Sequence, residues 1–268
     1  MNVETRLTNI ERTLAEFYRT YLFSNVAAYR DPKCLARYGG KVYSQNDEDG
    51  IIAEIFRRIG VTSRYFVEFG VGNGIENNTL ALLVQGWKGA WIEGDPNNCA
   101  TIGKVLYRYL NDKSLEAVQS FITAENITSL FESLNVPHEF DLLSIDIDFN
   151  DYWVWKALKT YRPRAVVLEY NAGFGPSMEW IVPYAADRMW DGSRNFGASL
   201  KSFELLGREK GYCLVGCNLT GANAFFVRED LVAEHFRKSF TSETHYESPK
   251  YFLTFPQSHP TSTAELLK

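Results

Sequence analysis

The sequence predicts an α/β fold: a doubly wound, mostly parallel seven-stranded sheet with a C-terminal antiparallel hairpin. Three observations predict it. The apolar run Tyr65-Phe66-Val67-Glu68-Phe69 passes into Gly70, Gly72 and Gly74 and then into Leu80-Ala81-Leu82-Leu83-Val84, which reads as a strand, a bare-backbone bend and a helix. Further apolar strands end in carboxylates, at Glu93, at Asp146 with Asp148, and at Glu169. Two late runs, Tyr212 to Cys217 and Ala224 to Arg228, joined by Asn218 to Asn223, read as an antiparallel pair closing the sheet. In such a sheet a ligand is expected beyond the carboxyl ends of the parallel strands.

Composition is compatible with one large α/β domain. The chain has 268 residues, 45% hydrophobic and 23% charged. A net charge of −5 and a pI near 5.5 argue against nucleic acid or an anionic membrane as principal partner, since both select a basic face. No apolar run reaches the length of a membrane span. The start, Met1-Asn2-Val3-Glu4, lacks the basic region and apolar core of a secretory signal. Cys34, Cys99, Cys213 and Cys217 form no C-x-x-C pair and read as buried thiols, the last two on one strand face. A cytoplasmic location follows as the expectation.

The elements follow in order. Val3, Leu7, Ile10, Leu14, Phe17 and Tyr21 recur at steps of four and three, giving one helix with a single apolar stripe over residues 3–23. It is too short for a convincing coiled coil, yet the stripe must pack, on the domain or in a homodimer contact. Residues 30–43 read as a loop, so an N-terminal helical arm spans 1–40 and the main domain 41–268. Acidic Asp47 and Glu48 open an amphipathic helix carrying Ile51, Ile52, Ile55, Phe56 and Ile59, where capping and dipole complementation account for them but not for Ser44-Gln45. After the first strand, Asn78 or Thr79 caps the next helix. Ala90 to Glu93 is the second strand, Ala100 to Leu110 a helix, and Leu115 to Phe121 the third strand. Ile127 to Leu134 is a short helix stopped by Pro137. Leu142 to Ile145 and Arg164 to Asn171 are the fourth and fifth strands. Residues 172–198, rich in aromatics, glycines and prolines, read as a substrate-side insertion or lid, and Gly197 to Lys210 as a helix. The tail holds His235, His245 and His259.

The glycine bend carries the ligand information. The dinucleotide pattern Gly-x-Gly-x-x-Gly fails from Gly70, where Ile75 takes the last place, and from Gly72, where Asn77 does. This weighs against an NAD-dependent sugar enzyme. Glu93 stands 19 residues past Gly74 at a strand tip, where a carboxylate can accept both hydroxyls of a ribose. Asp146 and Asp148, two apart on an extended chain, lie on one side, and like charges so close call for a cation, a shared proton or a donor-rich ligand. With Glu169 and Asn171 they make a hard oxygen set of the kind Mg²⁺ or Mn²⁺ prefers. Without metal, Asp148, Glu169 or His245 would serve as general base. A structural role is the third reading, with Asp146 capping the following helix and Asp151 solvated.

The motif Glu68-x-Gly-x-Gly-x-Gly74 resembles motif I of the class I S-adenosylmethionine-dependent methyltransferases. With Tyr43-Ser44-Gln45, Asn78-Thr79, Gly86-Trp87-Lys88-Gly89, Trp91-Ile92-Glu93, Ser144 to Asp148 and Val166 to Asn171, residues 43–228 resemble the FkbM-like branch, found with bacterial capsule and surface-polysaccharide genes. The resemblance implies a doubly wound Rossmann-like methyltransferase fold and O-methylation of a sugar or glycan-precursor group. It implies cofactor contacts from Gln45, Glu68, Gly70, Gly72, Gly74, Asn78, Glu93, Gly94, Ala124, Glu125 and Asp146, with Glu68 near the methionine amino group. Catechol O-methyltransferase and metal-dependent sugar O-methyltransferases hold metal at the matching strand ends, which implies Asp148, Glu169 and Asn171, with Asp146, as ligands. The Asp151-Tyr152-Trp153 run and the long aromatic insertion depart from many FkbM members, and they bear on the acceptor.

Overall fold

A computed structural model describes residues 3–253 and Leu266, apart from the side chains of Glu4 and Thr5. His259 lies outside the described residues. The sheet has seven strands: β1 (Tyr65–Phe69), β2 (Lys88–Glu93), β3 (Leu115–Gln119), β4 (Leu142–Ile145), β5 (Ala165–Glu169), β6 (Tyr212–Cys217) and β7 (Asn223–Arg228). Their spatial order is β3-β2-β1-β4-β5-β7-β6. The first five are parallel, and β7 runs antiparallel between β5 and β6. The Rossmann-like methyltransferase fold with its closing hairpin is therefore present as expected.

The helices are α1 (Val3–Asn25), α2 (Ala27–Arg30), α3 (Glu48–Ile59), α4 (Leu80–Val84), α5 (Pro96–Val105), α6 (Tyr107–Asn111), α7 (Ile127–Ser133), α8 (Asp151–Ala157), α9 (Leu200–Glu209), α10 (Glu229–Val232) and α11 (Ser242–His245). The period-two alternation of the strands divides the core into two layers. Val67, Phe69, Ile92, Leu143, Leu168 and Phe226 pack against Phe131, Trp155 and Phe203 of α7, α8 and α9. Phe66, Trp91, Val167 and Phe225 pack against Ile52, Ile55, Leu80, Leu83 and Ile102 of α3, α4 and α5. Glu68, Ser144 and Glu169 share the parity of this second set, so one alternation sends three polar side chains to the α3–α5 side of the sheet.

Four local departures have physical causes. The helix expected over Ala100 to Leu110 starts earlier, because Asp95 caps α5 by accepting from the backbone N–H groups of Asn97 and Asn98, and it is divided into α5 and α6 at Leu106. The loop over 30–43 contains a 3-10 turn, Leu35–Tyr38. A β-bulge between Leu214 and Gly216 changes the parity of β6. Cys213 and Cys217 consequently do not share a face: Cys213 packs on the α3 layer and Cys217 on the α8–α9 layer. Finally, the apolar stripe of α1 does not pack on the domain. Val3, Leu7, Ile10, Leu14, Phe17 and Tyr21 are all exposed, while Ala15 and Leu22, on the other side of the helix, pack with Ala36, Leu219 and Leu253. Among the described residues, no helix is long and apolar enough to cross a membrane.

Candidate active site

The bend after β1 is shaped by its own neighbours before any ligand arrives. Gly70, Gly72 and Gly74 all have positive φ, at 73°, 56° and 77°. A Cβ on Gly70 would stand 1.5 Å from the Asp146 carbonyl oxygen, so glycine here lets the β1 end touch the β4 end. A Cβ on Gly74 would meet Ile102 and Trp91, so this glycine serves packing. Only at Gly72 is the space open, and its N–H donates to Glu93 Oε2 at 2.8 Å.

Glu68 does not stand free for a cofactor amino group. Its carboxylate accepts from the N–H groups of Asn78 and Thr79, from Thr79 Oγ1 and from Ser144 Oγ. Those four donors use the roughly four lone-pair positions a carboxylate offers. Asn78 Nδ2 donates to Ser144 Oγ and Trp91 Nε1 to Thr79 Oγ1, which completes a buried chain linking β1, β2, β4 and α4. Burial pushes the Glu68 carboxyl up to about 7 against these donors. Glu68 and Asn78 therefore fasten the bend. Thr79 is the N-cap of α4, as expected, but without a side-chain capping bond; the Oδ1 of Asn77 accepts from the N–H groups of Thr79 and Leu80 instead.

Glu93 and Gly94 stand at the carboxyl end of β2, and Ala124 and Glu125 follow β3. Glu93 accepts from Gly72 N–H and Asp95 N–H and keeps acceptor capacity on Oε2. Gly94 is exposed. A cavity of about 160 Å³ opens beside Glu93, lined by Cys99, Ile102 and Gln119. It is smaller than the roughly 300–1,000 Å³ of small-molecule pockets. Ala124 N–H donates to Tyr184 Oη, which in turn donates to the Glu125 carboxylate, joining the loop after β3 to the 172–198 segment. The Gln45 side chain is exposed. Its neighbour Ser44, unexplained by the sequence, exchanges hydrogen bonds with Asp49: the Asp49 carboxylate accepts from the N–H groups of Val42, Tyr43 and Ser44 and from Ser44 Oγ, and Ser44 Oγ accepts from Asp49 N–H. Asp47 and Glu48 are fully buried, and Asp47 makes no side-chain capping bond, contrary to a simple dipole role.

The strongest feature is an acidic group at the carboxyl ends of β4 and β5. Asp146, Asp148 and Glu169 each present an oxygen within 4.8 Å of the others. Asp151 stands behind them, fully buried; one oxygen accepts from Ile147 N–H at 2.9 Å and the other has no partner. Among the described residues no ion pair involves any of these four acids. Burial, then the charges of Glu169, Asp151, Asp148 and Glu68, hold the Asp146 carboxyl well above its ordinary range. Burial, then Asp151 and Asp148, do the same for Glu169, and burial, then Glu93, raise Asp148. Burial carries Asp151 to about 6. Asp148 also sits at φ 63°, a left-handed conformation that costs a non-glycine residue about 1–2 kcal/mol. Such strain is concentrated at functional positions. Asp146 does not cap α8, whose N-cap is Asn150, and Asp151 is not solvated.

Two further expected members have partners of their own. Asn171 donates through Nδ2 to the carbonyls of Arg194 and Phe196 and accepts from Gly173 N–H, so its amide anchors the 172–198 segment. His245 is buried in α11 rather than exposed on a loop, and its charged surroundings are Arg237 and Glu204, not the triad. Burial, then Arg237, push it down to about 4. The 172–198 segment has no helix or strand, only a bridge between Ile181 and Ala198. Trp153 Nε1 donates to the Val182 carbonyl, Asn150 Nδ2 to the Ala185 carbonyl, and Phe174 stacks on Trp180 at 4.4 Å. Sequence reasoning missed the fastening roles of Ser144 and Asn77 and the burial of Asp151. The signal available for Asp151 was its place three residues after Asp148, on the first turn of a helix rooted at the same strand end.

No protein-family model matches the chain, and no curated protein matches it. Solved structures with similar architecture include a putative caffeoyl-CoA O-methyltransferase from Staphylococcus aureus, at 14% identity and TM-score 0.48, covering 84% of this chain and 98% of that one. The CcbJ methyltransferase from Streptomyces caelestis aligns at 13% identity and TM-score 0.41, covering 68% and 95%. The glycopeptide N-methyltransferase MtfA complexed with S-adenosyl-L-methionine aligns at 12% and 0.39, covering 66% and 86%.

Proposed function

We propose that the chain is an S-adenosylmethionine-dependent O-methyltransferase acting on a hydroxyl of a sugar or glycan precursor, with a divalent Mg²⁺ or Mn²⁺ at its acidic rim. The observation that carries the reading is the unpaired group Asp146, Asp148 and Glu169, set beside the glycine bend and Glu93 on one edge of a methyltransferase-type sheet. Three carboxylates with no counter-charge, backed by the partnerless Asp151 oxygen, fit a hard divalent cation. Such an ion, when bound, supplies positive charge that lowers the pKa of an acceptor hydroxyl.

The chain's own residues supply the rest. The acidic rim attracts a cationic sulfonium donor. Glu93 Oε2 has capacity for a ribose hydroxyl, and the open Gly72 backbone admits the donor closely. The 172–198 segment, tied to both Asn171 and the Ala124–Glu125 loop, covers the acceptor side with aromatic surface. In the transfer, the C–S bond breaks with its electron pair staying on sulfur and a C–O bond forms; the hydroxyl proton is released to water in the metal-assisted reading and passes to a carboxylate oxygen of Asp148 or Glu169 in the metal-free one. Most of the acceleration comes from holding donor and acceptor in line.

A metal-free general base is the second reading, and the raised carboxyls of Asp148 and Glu169 favour it. Chelation separates the two: EDTA abolishes turnover and Mn²⁺ or Mg²⁺ restores it if the cation is required, whereas full activity in chelator selects the base. Calorimetry with S-adenosylhomocysteine tests the whole proposal, and absence of binding to the wild-type chain ends it. The FkbM-like motif order supports the glycan acceptor. The free thiols of Cys34, Cys99, Cys213 and Cys217 support a cytoplasmic, reducing location. The proposed division is an arm over 1–40 and the catalytic domain over 41–268.

A further inference from the structure

We propose that α1 joins copies of this chain in a parallel helical bundle. Val3, Leu7, Ile10, Leu14, Phe17 and Tyr21 are between 52% and 74% exposed. Their steps of four and three place Leu7, Leu14 and Tyr21 at heptad position a and Val3, Ile10 and Phe17 at position d. The buried residues of the helix, Ala15, Arg19 and Leu22, fall at b and f on the opposite side, where Ala15 and Leu22 pack with Leu219 and Leu253. The domain therefore anchors one face and leaves the whole seam outward.

The free end of the helix needs a partner. Every residue from 6 to 14 is exposed. A solvated helical stretch of about 12 residues is marginal by itself in water. Its C-terminal half is already held by the domain, so association does not have to order that half again.

Charge selects both the partner and the direction. The helix carries Glu4, Glu11 and Glu16 against Arg6, Arg12 and Arg19, with no net charge to draw it to an anionic membrane. In a parallel pair, Arg6 at g meets Glu11 at e of the neighbouring helix. In a full-overlap antiparallel pair, Glu11 would face its own copy. Leucine at a with Val or Ile at d is a pattern that favours more than two strands, so the expected assembly exceeds the dimer the sequence alone suggests.

Sedimentation equilibrium of the full chain tests this. The expected mass is a multiple of the 30.6 kDa protomer. Ile10→Glu with Leu14→Glu should weaken association roughly tenfold or more. Both positions are exposed, so the domain still folds. Arg6→Glu should weaken association, and adding Glu11→Arg should restore it. Under mild oxidation Ile10→Cys should cross-link copies to one another while the wild type does not. A monomeric wild type overturns the proposal, as does a monomer that sediments with vesicles of anionic phospholipid. An assembly in which Ile10→Cys fails to cross-link overturns the parallel arrangement. Binding of S-adenosylhomocysteine is read separately on the same variants, so loss of assembly and loss of the proposed function are distinguishable.

Discussion

Asp148 and Glu169 are where a single atom changes the chemistry. Asp148→Asn keeps a residue that tolerates the left-handed φ, and Glu169→Gln keeps the volume. Each should lower kcat by about 10² or more while S-adenosylhomocysteine still binds, as single-turnover kinetics and calorimetry would show. Glu68 should behave oppositely. Glu68→Ala leaves Asn78 N–H, Thr79 N–H and Ser144 Oγ without their acceptor, and each buried orphan costs about 1–3 kcal/mol. The ligand-free protein should lose about 3 kcal/mol or more in denaturant titration; unchanged stability would return Glu68 to a cofactor role. His245 makes a pH prediction. Its folded pKa of about 4 lies below the ordinary value of 6.5, so between them the unfolded chain takes up a proton the folded chain refuses. Its stabilising contribution is complete above about 6.5 and is lost as pH falls towards 4. His245→Gln should flatten that acid limb in a plot of Tm against pH.

At the scale of elements, the junctions between strands and the turns that follow them decide the site. Gly70 lies against the carbonyl of Asp146, the residue after β4, so any side chain there pushes the ends of β1 and β4 apart. Gly70→Ala should cost about 2 kcal/mol or more, from the positive φ and the overlap together, and it should reduce cofactor binding, both read by thermal shift with and without ligand. Asp141, before β4, is a second junction: its buried carboxylate accepts from the N–H groups of Thr62, Ser63 and Arg64. These long-range partners cannot be read from Phe140-Asp141-Leu142, where the acid looks like an ordinary strand boundary. The strands themselves were legible because burial on both faces demands continuous apolar runs. The bulge in β6 was not, because it depends on pairing with β7, a partner strand reached across a loop.

For the whole molecule, the doubly wound order with parallel pairing brings four strand ends, β1, β2, β4 and β5, to one edge. The sequence by itself determined the α/β class, the antiparallel closure and the residue types at this edge, since hydrophobic period and glycine placement are local properties of the chain. The tertiary structure alone decided which acids meet. It turned Glu68 into a fastening for the bend, tied the Asn171 amide to the 172–198 segment, buried His245 and added Asp151 behind the acidic group. The reason is that a carboxylate's role is set by the donors and charges packed around it, and those arrive from segments remote in the chain.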